Sequence, residues 1–150
     1  MRLEEAVVLD IVGDPHALLA FDQHAERFLQ EHQAAGNTRR PFFLYLAYTA
    51  PHDPLHAPAD YIAKYKGRFD DGWDALASRR LARLKELGLV PQAVTDLPEN
   101  FMTRPWATLS DEERSRFARD MEVYAAMIEY MDMSIGRLLA YLEAQGLYDD

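Results

Sequence analysis

Seven consecutive apolar or aromatic residues, Phe42–Tyr48 (FFLYLAY), stand between Pro41 and a segment punctuated by Pro51, Pro54 and Pro58. No other feature narrows the possible folds as much. The run is far shorter than the roughly 20 residues that a membrane span needs, and short for an isolated buried helix. Without polar alternation it predicts a strand buried on both faces, as in a parallel α/β sheet. Each of the three prolines removes a backbone donor and steers the residue before it away from helix. Ala50–Pro58 is therefore expected to be a stiffened irregular loop at the C-terminal end of that strand.

The flanking sequence supplies helices. Leu19–Ala35 has helical spacing, with Leu19, Phe21, Ala25, Phe28, Leu29 and His32 toward one side, and Gly36-Asn37 suits an exit turn. Ala6–Val12 (AVVLDIV) reads as a second, shorter strand, so that strand, helix, turn and strand would make a βαβ unit. After the proline loop, Ala59–Lys66 predicts a short helix, Gly67–Gly72 a turn, Trp73–Leu87 a helix closed by Gly88, and Pro91–Pro105 a loop. Ser110 and Glu113 have the spacing of a capping box at the start of a long helix that runs to Gly146. Its predicted apolar stripe is Phe117, Met121, Tyr124, Ala125, Ile128, Met131, Ile135, Leu138, Leu139 and Leu142. No repeat, low-complexity stretch or linker divides the chain, and 150 residues suit a single unit, 1–150.

Composition excludes several classes of function. A formal net charge of -9 lacks the basic footprint of a nucleic-acid binder and disfavours an anionic membrane surface as partner. There is no cysteine, hence no disulfide, thiolate metal site or cysteine nucleophile. The N-terminus, MRLEEAVVLD, has acidic residues where a signal peptide carries a basic start, so the chain as it stands is expected to be cytoplasmic.

His52 is the candidate site residue. It follows the carboxyl end of the predicted strand, where ligands bind in open α/β sheets, and it sits in a loop that prolines hold in place. Imidazole titrates near neutrality and can donate a proton to a leaving group or bind an anionic oxygen. The bland alternative is a surface histidine in a turn. His52 and His56 are four apart, but Pro54 between them breaks the helix that a zinc pair at this spacing needs. His16, His24 and His32 read as structural or exposed, and the methionines of the long helix as core. Asp70-Asp71 and Asp149-Asp150 read as solvated charge. No glycine-rich phosphate loop or GxSxG element occurs.

The run PFFLYLAYTAPHDPLHAP resembles the strand and loop of bacterial arylsulfatases, written PFFxYLxxxAPHxPxxAP. Tyr65–Leu76 (YKGRFDDGWDAL), Arg79–Leu89 (RRLARLKELGL) and Met121–Gln145 follow the family in order. The resemblance is clear over 41–150, weaker over 19–40, and does not extend over 1–18. It implies part of an alkaline-phosphatase-like α/β sandwich, helix-rich with one or two central strands. It also implies a sulfate-ester hydrolase that uses a formylglycine nucleophile and calcium, with a small-molecule sulfate ester as substrate. Among the family's functional residues, only the histidine that contacts the sulfate and leaving-group oxygen has a counterpart here, His52. The C/S-x-P-S/A-R nucleophile motif and the family's calcium ligands are missing.

The resulting expectation is an internal piece of a sulfatase that is inactive alone. Its open strand edges and apolar helix face would favour self-association. A phosphonate or phosphodiester hydrolase of the same superfamily, or a non-catalytic remnant or interaction module, are the alternatives.

Overall fold

A computed structural model describes residues 17–36, 41–95 and 103–148. Its elements are α1 (Ala17–Ala34), α2 (Ala59–Ala63), α3 (Gly72–Glu86), a 3₁₀ turn at Trp106–Thr108 and α4 (Asp111–Ala144). At 1.5 Å per residue α4 is roughly 50 Å long, and everything else packs along it.

The ends of α4 follow from local chemistry. Ser110 has extended backbone, its hydroxyl accepts the Glu113 N–H at 3.2 Å, and the Glu113 carboxylate accepts the Ser110 N–H at 2.9 Å. The capping box thus satisfies two otherwise orphaned donors, and Asp111, Glu112 and Glu113 place negative charge at the positive helix end. At the other end Gly146 takes φ +67°, so that Leu147 N–H reaches Leu142 O at 2.9 Å and Gly146 N–H reaches Glu143 O at 3.0 Å. That pair of bonds terminates the helix at the glycine.

Three apolar clusters are strung along α4. Toward its C-terminal end, Leu138 packs on Ala25 and Leu29 of α1, with Phe42, Leu44 and Leu46 against them. In the middle, Ala126 and Met127 pack on Ala57, Leu55 and Ala50 of the proline loop and on Tyr61 and Ile62 of α2. Near its start, Ala118 packs with Trp106, Leu109, Phe69 and Trp73. Polar bonds tie the same layers together: Lys64 pairs with Glu129 at 2.6 Å, and buried Glu122 accepts Gly67 N–H at 2.7 Å and Arg119 Nη1 at 2.9 Å.

Two expectations need correction. Phe42–Tyr48 is not a strand buried on both faces. Among the described residues no strand is formed, and no backbone–backbone hydrogen bond involves this segment. Burial instead alternates residue by residue: Phe42, Leu44, Leu46 and Tyr48 turn toward α1 and α4, whereas Phe43 is 79% exposed and Tyr45 78% exposed. Period-two alternation belongs to extended chain, but a sheet strand also needs neighbours to pair with. The companion strand expected at Ala6–Val12 lies outside the described residues.

The packed face of α4 also differs from the predicted one. Its buried residues are Ala118, Glu122, Ala126, Met127, Tyr130, Ser134 and Leu138, and only Leu138 belongs to the predicted stripe. Tyr124, Ile128, Ile135 and Leu139 stay partly exposed. Apolar residues occupy most of the circumference of α4, so periodicity alone does not single out one face. The face that packs carries Ala118, Ala126 and Ser134, small residues that let α1 and the loop approach closely.

Candidate functional site

The proline loop is pinned at both feet and free at its tip. Ala50 on one side and Leu55 and Ala57 on the other pack against Ala126, Met127 and Val123. His52, Asp53 and Pro54 between them are exposed. The peptide bonds before Pro51 and Pro54 are both cis. The His52 N–H donates to Thr49 O at 2.9 Å and closes the turn. The loop therefore presents one imidazole on a short projection whose base is anchored in the core.

The imidazole has a defined orientation. His52 Nδ1 lies 2.9 Å from Asp53 O. A carbonyl oxygen only accepts, so Nδ1 carries the hydrogen and Nε2 is the atom left to face a ligand. Neutral, Nε2 is an acceptor; as imidazolium, it is a donor to an anionic or leaving-group oxygen.

The other predicted positions are distributed as follows. His56 is half-buried, and its Nδ1 is buried without a hydrogen-bond partner among the described residues. His32 stacks on Phe28, 6.3 Å between ring centres, and meets Phe42 edge-on at 6.0 Å. Asp71 is exposed and bound bidentately by Arg79, which holds its carboxyl below the usual range. Met127 is core. His16 and Asp149-Asp150 lie outside the described residues. Among the described residues no group of three or more His, Cys, Asp or Glu is placed to hold a metal ion. A separate open cleft of about 520 Å³ lies between the α2 turn and α4, with Lys66, Arg119 and Glu122 on its walls; His52 does not line it.

Behind the loop is a polar cluster that the sequence pattern did not single out. Asp22 of α1 is 1% exposed and Ser134 of α4 is fully buried. The Asp22 carboxylate accepts the Tyr48 hydroxyl at 2.8 Å and, through its other oxygen, the Ser134 hydroxyl. Burial, followed by the hydrogen bond and the negative charge of Asp22, pushes the Tyr48 phenol well above its ordinary range, with the Ser134 hydroxyl opposing. The available signal was register: Asp22 precedes Ala25 and Leu29 on the apolar side of α1, and Ser134 lies between Tyr130 and Leu138 on α4. Polar residues at core positions are informative because burial demands partners for them.

Comparison with known proteins gives a consistent picture. The Sulfatase family model matches residues 19–150. An uncharacterized sulfatase of Schizosaccharomyces pombe is 48% identical over 110 residues, 73% of this chain and 20% of that protein. An arylsulfatase of Klebsiella aerogenes is 42% identical over 107 residues, 71% of this chain and 23% of the relative. The multifunctional alkaline phosphatase superfamily protein PehA of Trinickia caryophylli is 31% identical over 120 residues, 77% of this chain and 22% of its own length. The chain thus spans about a fifth of the length of these relatives.

Proposed function

Because the chain belongs to the sulfatase family, we propose that it forms one wall of a sulfate-ester site, in which His52 meets the leaving-group oxygen of an aryl sulfate. The observation that carries this reading is the His52 loop itself: anchored feet, exposed tip, and an imidazole whose Nδ1–H is committed to Asp53 O. As imidazolium, His52 donates the Nε2 proton to the ester oxygen while sulfur breaks its bond to that oxygen and bonds to a nucleophile from outside these 150 residues, so that the alcohol departs neutral. General-acid assistance of this kind contributes about 10²–10⁴ in rate.

The rest of the chemistry needs groups that these residues do not supply. Formylglycine requires a cysteine or serine in its motif; there is no cysteine, and neither Ala77-Ser78-Arg79 nor Arg114-Ser115-Arg116 fits. No carboxylate cluster among the described residues suits calcium. The 150 residues alone are therefore proposed to be catalytically silent, one continuous part of a sulfatase domain. Turnover of a chromogenic aryl sulfate by the purified chain, with or without calcium, would overturn that part of the reading.

The role of His52 is tested in a hybrid, with this chain replacing the matching segment of the Klebsiella aerogenes arylsulfatase. His52→Ala is expected to lower kcat by roughly 10²–10⁴, more steeply as the leaving-group pKa rises. An unchanged kcat, or a loss independent of the leaving group, rejects the assignment. The second reading is hydrolysis of phosphonate monoesters or phosphodiesters, for which the 31% likeness to an alkaline phosphatase superfamily protein is distant support. Assaying the hybrid on both ester classes decides between them.

A further inference from the structure

The Asp22–Tyr48–Ser134 cluster lies outside the reactive loop, yet it is joined to it through the backbone. Tyr48 is two residues before Ala50, the first foot of the loop, and one residue before Thr49, whose carbonyl accepts the His52 N–H. The segment leading into the loop has no backbone hydrogen bond to hold it among the described residues. Its attachments among the described residues are the side chains Phe42, Leu44 and Leu46 in an apolar cluster, ring contacts of Phe42 and Tyr48 with α1, and the Tyr48 hydroxyl on Asp22 at 2.8 Å. Apolar contacts set depth but tolerate sliding; a hydroxyl bonded to a buried carboxylate sets register and direction.

The carboxylate is itself held from the opposite side. Ser134 of α4 donates to the second Asp22 oxygen, so one side chain of α1 clamps both α4 and the loop-bearing segment. Phe21, the neighbour of Asp22, packs edge-on against the Tyr48 ring at 5.7 Å and restricts its swing. No ion pair involves Asp22 among the described residues, so these hydroxyls are the polar partners of a buried carboxylate. A group that is costly to bury and satisfied by these two donors is geometrically demanding.

We infer that Asp22 is a positioning residue: with Ser134 it latches Tyr48, and the latch sets where the His52 loop projects. The inference rests on the reading of His52 as a substrate-facing group for its catalytic consequence, but not for its structural one.

The test is hydrogen exchange by mass spectrometry on the 150-residue chain at low concentration. It compares the wild type with Asp22→Asn, which keeps the shape of the side chain, and Tyr48→Phe, which removes one hydroxyl. Peptides spanning Thr49–Ala57 are expected to exchange at least tenfold faster in both variants, while peptides of α3 keep their wild-type rates. The double variant is expected to be no faster than either single one, because both break the same latch. Loop exchange unchanged in both variants, or rising in step with α3, overturns the inference, since the second pattern means general loss of stability. In the hybrid enzyme, Tyr48→Phe is expected to lower kcat several-fold with little change in KM. Faster loop exchange in a background where His52→Ala does not affect turnover would support the latch and reject the proposed catalytic role of His52.

Discussion

Gly72 lies flat against the indole of Trp106, so close that a Cβ on Gly72 would sit 2.1 Å from Cδ2 of the ring. The same glycine has φ +80°, a left-handed conformation. The contact joins the first residue of α3 to the 3₁₀ turn before α4. It is flanked by the Asp74 carboxylate, which accepts the Trp106 backbone N–H at 2.7 Å, and by the Trp73 ring, 4.7 Å from that of Trp106.

Gly72→Ala is therefore expected to destabilise the chain by roughly 2–5 kcal/mol, the sum of a left-handed backbone penalty and overpacking against a buried ring. Gly136→Ala is the control. Gly136 lies inside α4, and a Cβ there would meet nothing within 4 Å, so the substitution should add about 0.5–1 kcal/mol. Urea unfolding followed by tryptophan fluorescence measures both. Equal effects would mean that the Gly72–Trp106 contact contributes nothing.

Alternating burial along Phe42–Tyr48 makes neighbouring residues unequal. Leu46 faces the α1–α4 cluster, whereas Phe43 faces outward. Leu46→Ala is expected to cost about 1–3 kcal/mol and Phe43→Ser less than about 0.5 kcal/mol. Phe43→Ser is also expected to weaken concentration-dependent association in sedimentation velocity, because it removes an exposed aromatic from a segment whose edges are unpaired among the described residues. Comparable losses of stability in the two variants would restore the picture of a segment buried on both faces.

The buried carboxylate of Glu122 links stability to acid. Burial pushes its pKa up, but the Gly67 N–H, the Arg119 guanidinium and the charge of Lys66 outweigh this and leave it below the usual glutamate range. A folded-state pKa below the unfolded one contributes stability above the unfolded value, about 4.3, and loses it as pH falls through the folded value. Glu122→Gln is therefore expected to cost about 1–2 kcal/mol at neutral pH, with the gap to wild type closing below about pH 4. Unfolding curves from pH 3 to pH 7 test this. A gap that stays constant across that range would show that ionisation of Glu122 contributes nothing to stability.

Local chemistry was legible wherever a few neighbouring residues settle the conformation. The Ser110–Glu113 capping box, the glycine stops at Gly88 and Gly146 and the irregularity of Ala50–Pro58 depend on contacts a few residues apart, and each is present. His52 could be picked out because three prolines around a histidine, directly after an apolar run, form a local pattern. The packed face of α4 was not legible in this way. Tyr124, Ile128, Ile135 and Leu139 are as apolar as the residues that are buried, and hydrophobicity alone has no preference among them.

By itself, the sequence determined the family, through an ordered set of matching segments, together with the helices and their caps and the loop that carries His52. Tertiary structure decided which side of each element is inside. It turned Phe42 and Leu44 inward and Phe43 outward, and it chose the Ala126–Ser134 face of α4 over the Ile128–Leu139 face. It also brought Asp22 and Ser134, 112 residues apart, onto one hydrogen bond behind Tyr48. Turns and caps are settled by bonds between near neighbours. A buried carboxylate between two hydroxyls is defined only when distant helices close around it, because only there does the loss of water make those partners necessary.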